Sequence, residues 1–205
     1  MVSAMPRGIG CIVDRLPCSF ELDTLSPVLG AFSSKSERTL SDLAGQFLDA
    51  AAYERALAEG DRLVYVVYQS TGSGQAGDLD YGLTVLWPGK IGNEYWMTKG
   101  HYHHVLETSE VYYCLQGTGY MVMEDISGHW AVEKLASARG LYVAPGWAHR
   151  MVNVGNVPLA ALYVCPSHAG HDYHTIETRG FRKLIVEQGG APAIIDNPRW
   201  QGCRR

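Results

Sequence analysis

The chain contains no apolar stretch approaching the roughly 20 residues that a bilayer crossing requires. Its opening, MVSAMPRGIG, lacks the basic start and apolar run of a secretory leader. No membrane partner is expected, and the expected location is the cytoplasm. No two of the five cysteines (Cys11, Cys18, Cys114, Cys165, Cys203) show CxxC spacing, and their number is odd. This argues against a disulfide framework and for a reducing compartment. Positive charge is not in excess: 17 Lys and Arg stand against 21 Asp and Glu, a net charge of -4. A phosphate backbone requires a clustered basic face, so no nucleic-acid partner is expected. A small anion needs only a local pocket and stays open as a ligand. The glycine-rich segment Ser70–Asp80 (STGSGQAGDLD) lacks the GxxxxGK[ST] order of a phosphate loop and reads as a hairpin connection. Strands and helices do not alternate, which excludes Rossmann and TIM folds. There is no internal repeat, low-complexity tract or linker.

What remains is an ordinary globular composition. With 205 residues, 46% hydrophobic and 19% charged, the chain is large enough for one domain with a real core. Residues 1–35 are punctuated by Pro6, Gly8, Gly10, Pro17, Pro27 and Gly30. They read as an N-terminal arm with one or two short strands, lying on the body or on a second subunit. Arg38–Gly60 is the one helical region: Leu40, Leu43, Phe47, Leu48, Tyr53 and Leu57 recur at helical spacing. It reads as one helix or two short ones, with Asp49 as a cap for the second part and Gly60 as the stop. After Gly60 the pattern turns to β. Strands are expected at Leu63–Tyr68, Tyr81–Trp87, Glu94–Thr98, Glu110–Leu115, Tyr120–Glu124 and Trp130–Leu135. Four more are expected at Leu141–Val143, Met151–Val154, Leu159–Val164 and Leu184–Glu187. Many short strands at this spacing predict an all-β sandwich or barrel.

Chemistry concentrates between Tyr95 and Glu124. His101 and His103 are two apart, so on an extended segment both imidazoles point to one face. Glu110 opens the next strand after a short turn, and His149 stands at the entrance to another, in PGWAHRMVN. Three imidazoles and a carboxylate suit Fe(II), Mn(II), Ni(II), Zn(II) or Cu(II). In octahedral geometry two positions stay open for water or substrate. A closed structural zinc site would be richer in thiolate, and no cysteine here has the spacing to join. His104 is expected to point outward, and His129 and His168 read as loop residues without a role.

At these residues the chain resembles a cupin. That pattern joins HxH…E…G to P-x-G-x-x-H-x-x-x-N. Here the first reads His101-x-His103…Glu110…Gly117 and the second ends Gly146-x-x-His149-x-x-x-Asn153. Six residues separate His103 from Glu110, more than the usual three or four. Ala144 stands where the second motif has proline, and Pro145 comes one place late. TKGHYH, EVYY-x-L-x-G-x-G-x-M, AHR-x-V-N, AGHDY-x-T-I, GF-x-K-x-x-V and DNPRW follow in order. Together they resemble the cupin-type glucose-6-phosphate isomerase family, metal-dependent enzymes known largely from archaea. The likeness runs from Arg38 (RTLSDLAGQF) to Trp200.

The resemblance implies a small jelly-roll β-barrel over residues 38–200 with a covering helix, after an arm at 1–37 and before a tail at 201–205. It implies one divalent metal per subunit, Fe(II) first with Mn(II), Ni(II) or Zn(II) as alternatives, held by His101, His103, Glu110 and His149. It implies a sugar-phosphate substrate met by Tyr65, Thr84, Thr98 and Gly100, with Tyr112, His171 and Tyr173 also in the pocket. It further implies a homodimer. Cys165 stands where the family places a pocket tyrosine, so that tyrosine's role is not carried over.

Aldose–ketose isomerisation moves a hydrogen between C1 and C2. Either a base takes the C2 proton and returns it to C1 through a cis-enediol, with Glu110 the candidate, or hydride passes directly while the metal polarises the carbonyl. The residues do not choose between them. A dioxygenase and a non-catalytic sugar-binding cupin use the same ligand set and stand as alternatives.

Overall fold

A computed structural model describes residues 19–23, 27–30 and 32–202. The chain runs β1 (Leu22–Asp23), β2 (Val28–Leu29), β3 (Ser34–Thr39), a 3-10 turn (Ser41–Leu43), α1 (Ala50–Glu59), β4 (Leu63–Ser70) and β5 (Leu79–Leu86). It continues with β6 (Lys90–Ile91), β7 (Glu94–Tyr95), β8 (Glu110–Gln116), β9 (Thr118–Asp125), β10 (Trp130–Ala136), β11 (Arg139–Val143) and β12 (Trp147–Asn153). β13 (Leu159–Pro166), α2 (His174–Arg179), β14 (Lys183–Gln188) and β15 (Ala191–Asp196) complete it. Among the described residues no helix is long and apolar enough to cross a membrane.

A six-stranded sheet in the order β11-β8-β13-β5-β4-β3 forms one wall. The other wall is the three-stranded sheet β10-β9-β12, extended by the segment after β7 through the bridges Met97↔Val152 and His101↔His149. All pairings are antiparallel. The fold is thus all-β, a small jelly-roll barrel of the cupin type. A third sheet, β15-β14-β7-β6, packs beside it.

The core lies between the walls, where strand alternation sends Tyr65, Leu86, Tyr112, Cys114, Met121, Met151, Leu159 and Tyr163 inward. The expected short strands of the arm, β1 and β2, lie on the outer face of the large sheet. There Leu29 packs with Leu83, Val85 and Ala160 in a second cluster. Phe20 stacks on Tyr81 at 4.3 Å and Phe32 meets Tyr68 edge-on at 5.1 Å. Residues 1–18 of the arm and 203–205 of the tail lie outside the described residues, and with them Cys11, Cys18 and Cys203.

The region expected as helix from Arg38 is helical mainly in its second half. Arg38 and Thr39 end β3, which crosses the expected boundary at residue 37, and Leu40 follows in a bend. The Asp61 carboxylate then accepts from the Ser41 amide at 2.9 Å, the Ser41 hydroxyl at 2.7 Å and the Thr39 hydroxyl at 3.0 Å. Such side-chain bonds compete with helix propagation and leave a single turn. Leu40, Leu43 and Phe47 are nevertheless fully buried, so the apolar spacing marked core rather than conformation. α1 begins where Asp49 accepts from the Ala52 amide at 2.8 Å and ends at Gly60, as expected.

Two strand expectations change. Glu94–Thr98 pairs as a strand only at Glu94–Tyr95, because the chain then crosses from β6 to run beside β12. β12 starts at Trp147 rather than Met151, which places His149 within the strand and not at its entrance.

Candidate metal centre

His101 and His149 face each other across an antiparallel bridge. The His101 amide donates to the His149 carbonyl at 3.3 Å and the His149 amide donates back at 3.1 Å. Backbone pairing therefore sets both imidazoles side by side, their rings 4.5 Å apart. His103 lies two residues beyond His101 on the same face, while Tyr102 between them pairs with Asp172. Glu110, the first residue of β8, brings its Oε2 to 3.1 Å from His103 Nε2 and 2.9 Å from His149 Nε2. One donor atom from each of the four residues lies within 4.8 Å of the others.

The protons in this cluster can be assigned. The Thr108 hydroxyl donates to the Val105 carbonyl at 2.6 Å, so its oxygen accepts from His103 Nδ1 at 2.8 Å. The Thr108 carbonyl lies 3.2 Å from the same nitrogen. His103 thus carries a proton on Nδ1, and its Nε2 faces the carboxylate at 3.1 Å. The Nε2 of His101 is buried without a hydrogen-bond partner among the described residues, and that of His149 is buried against the Glu110 carboxylate at 2.9 Å. Burial, then His149 and His171 nearby, hold the His101 pKa well below its ordinary value, so the ring is neutral. Burial pushes the Glu110 carboxyl up, but His149, His103 and His101 outweigh it and hold the group well below the usual carboxylate range. One orphaned imidazole nitrogen and two more crowded on a single ionised carboxylate fit a divalent cation. They make a poor structure without one.

The centre opens into a cavity of about 240 Å³. Tyr65, Thr84, Thr98 and Gly100 line it, and so do Tyr112, His171 and Tyr173. Thr98 Oγ1 accepts from the Met151 amide at 3.1 Å, which leaves the hydroxyl proton free to donate. Gly100 has φ +76°, and a Cβ there would fall 2.5 Å from the Phe181 ring, so only glycine fits this turn. The carbonyl of Lys99 is held by Arg150 Nη2 at 2.7 Å, which fixes the turn from behind. Burial pulls the Arg150 guanidinium down to about 10, so it remains cationic at neutral pH. On the far side of the cluster His171 packs against His101 at 4.5 Å and Tyr173 stacks on His171.

Burial, and the Glu110 carboxylate beside it, push the Tyr112 hydroxyl well above its ordinary pKa, so it stays protonated. Burial pushes Tyr65 up to about 12. Cys165 lies buried on the inner face of β13. Burial and then Glu110 raise its pKa, so the thiol stays protonated. His104 points to solvent as expected, and His129 is an exposed partner of Asp125.

Other residues of the cavity and of the cluster behind it escape sequence reasoning. Thr108 sits inside the long gap before Glu110, where no motif marks it. Tyr163 directly faces Gly82 in the register, and a Cβ on Gly82 would fall 2.5 Å from the phenol oxygen. The pairing of a strand glycine with an aromatic across from it was the available signal. Ser36 and Arg38 reach the cavity from β3, a strand that the polar sequence SKSERT conceals. The Asn of the second motif has a structural job: Asn153 donates to the Leu86 and Val157 carbonyls and accepts from the Gly155 amide.

The sequence model of the glucose-6-phosphate isomerase (GPI) family matches residues 37–201. Glucose-6-phosphate isomerase of Thermococcus litoralis is 43% identical over 169 residues, 82% of this chain and 89% of that protein. The enzyme of Thermococcus onnurineus is 40% identical over 187 residues, 91% and 98% of the two chains. That of Sinorhizobium medicae is 34% identical over 189 residues, 90% and 88%. A solved oxalate decarboxylase from Bacillus subtilis matches 53% of this chain and 26% of its own, with 20% identity and a TM-score of 0.43, a likeness too loose to bear on chemistry.

Proposed function

The chain belongs to the glucose-6-phosphate isomerase family, cupin type, and from that premise we propose that it interconverts glucose 6-phosphate and fructose 6-phosphate with one divalent metal per subunit. The observation that carries the reading is the cluster of His101, His103, Glu110 and His149, three of which line one cavity with Thr84, Thr98 and Gly100. Fe(II) is the first candidate for the metal, with Mn(II), Ni(II) and Zn(II) behind it. When bound, the metal would supply Lewis-acid stabilisation of charge on the sugar oxygens at C1 and C2.

The chain's own residues do the rest. The hydroxyls of Tyr65, Thr84 and Thr98 and the Gly100 turn hold the phosphate by hydrogen bonds. Glu110 stays ionised in its ring of imidazoles and is the base that carries a proton between C2 and C1. Tyr112, protonated beside it, donates to a substrate oxygen. His171 and Tyr173 cover the open side and exclude water from the enediol.

The purified protein is expected to convert fructose 6-phosphate in a dehydrogenase-coupled assay, to stop in EDTA and to recover with added divalent metal. In D2O the product should carry solvent deuterium at the transferred position. No turnover with any metal sinks the isomerase. Turnover with complete retention of the substrate hydrogen removes Glu110 from the base role. Oxygen uptake without isomerisation would favour the dioxygenase.

The proposed assembly is a homodimer. Its support is the outer face of the large sheet, where Val111, Tyr113 and Tyr142 stand exposed beyond the edge of the β1–β2 hairpin. Light scattering is expected to give twice the chain mass, and a monomeric mass refutes it.

A further inference from the structure

The phosphate end described above consists of neutral donors, yet its proposed ligand is a dianion. Removing such a charge from water without a countercharge is costly. Among the described residues the cations lining the cavity are Arg38 and Arg150. Arg150 is committed: it donates to Met97 Sδ at 2.9 Å, Gln46 Oε1 at 3.0 Å and the Lys99 carbonyl at 2.7 Å, and stacks on Phe181. Lys99, next in sequence to Thr98, turns its amine away to Glu177 at 2.8 Å.

Arg38 is placed differently. It sits directly opposite Tyr65 in the β3–β4 register, and its charge lies within electrostatic reach of the Tyr65 and Tyr173 hydroxyls. Among the described residues its side chain makes a single hydrogen bond, from Nη1 to the carbonyl of its exposed neighbour Glu37 at 2.8 Å, and no ion pair. The guanidinium has five N–H donors in a planar fork, so most of its hydrogen-bonding capacity is unspent. It is half-buried, its stem in the cavity wall. Tyr65 in turn meets the Lys99 amide at 3.5 Å, which joins this corner to the Thr98–Gly100 turn.

Resting on the sugar-phosphate reading, we propose that Arg38 binds the substrate phosphate and completes the Tyr65–Thr98–Gly100 corner as its one countercharge. The planar fork suits two phosphate oxygens at once. The edge strand β3 therefore serves as part of the binding site and not only as a border of the sheet. Arg38 holds a group that does not react, so it binds ground state and transition state alike and acts on KM more than on kcat.

The test uses the metal-loaded protein, with inorganic phosphate as the calorimetric probe and fructose 6-phosphate as the kinetic one. Arg38→Met keeps the apolar stem and is expected to weaken phosphate binding by about 10- to 100-fold, the usual worth of charge-assisted bonds. KM should rise by a similar factor, with kcat and bound metal nearly unchanged. Arg38→Lys should recover part of the affinity, because a point charge replaces the fork. Phosphate affinity in Arg38→Met within twofold of the parent overturns the proposal, as does a parent that binds no phosphate at millimolar concentration. Arg38-dependent phosphate binding without any isomerase turnover leaves this site standing and sinks the isomerase reading instead.

Discussion

His149→Ala is expected to empty the metal centre and to lower isomerase turnover by about a thousandfold or more, since metal stabilisation of charge is worth several kcal/mol and each 1.36 kcal/mol is tenfold in rate. The reason lies in how the residue is held. His149 is 2% exposed, sits within β12, and is locked opposite His101 by two backbone hydrogen bonds. Its Nε2 is buried 2.9 Å from the Glu110 carboxylate, beside the Nε2 atoms of His101 and His103, a crowding that a shared metal explains. Truncation removes one donor of four and leaves the buried Glu110 carboxylate with one fewer imidazole against it. Elemental analysis of the purified variant should find well below one metal per chain. Urea unfolding should show a smaller loss once the parent is also stripped of metal. A variant that retains full metal and full turnover would dismiss the centre as the seat of catalysis. Loss of metal with sugar-phosphate binding intact and no parental turnover would instead support a non-catalytic binder.

Much of this arrangement was legible before the fold was known, and the reasons are local. Alternation along an extended chain put His101 and His103 on one face whatever the topology. The runs LVYVVY and YGLTVLW are β-branched and apolar on both faces because β4 and β5 lie between the barrel core and the N-terminal hairpin. Capping chemistry located α1 at Asp49. What stayed hidden depends on partners distant in sequence. SKSERT has no apolar pattern, since among the described residues β3 is an edge strand paired on one side only, and it became a strand because β4 offered it a ladder. β15 contains Pro192, which a sheet edge tolerates and a central strand does not. α2 begins after Asp172, which accepts from the Thr175 amide and hydroxyl, a short cap invisible to periodicity. The seven expected pocket residues line one cavity, whereas Arg38 and Tyr163 reach it through register, and Thr108 reaches His103 through loop geometry, neither of which spacing encodes.

The second large effect is expected from Thr108→Val, and it bears on the six-residue gap between His103 and Glu110. The work that the intervening loop does gives this length a cause. The loop folds back on itself, with the Thr108 amide and hydroxyl both donating to the Val105 carbonyl, and the Val105 amide tied to the Ala169 carbonyl at 2.9 Å. This returns Thr108 to the rear of His103, where its oxygens meet Nδ1. An outer partner of this kind fixes the tautomer and orientation of a metal-binding imidazole, and its loss typically costs 10- to 100-fold in metal affinity. Valine has nearly the shape of threonine but no hydroxyl, so Thr108→Val leaves Nδ1 with only the longer 3.2 Å contact to the Thr108 carbonyl. Chelator competition should show metal affinity lowered by about 10- to 100-fold. Activity should then require correspondingly more metal, while kcat at saturation stays close to the parent. Thr108→Ser, which keeps the hydroxyl, should behave as the parent does. Unchanged metal affinity in Thr108→Val would mean that the carbonyl alone orients His103, and the long gap would need another explanation.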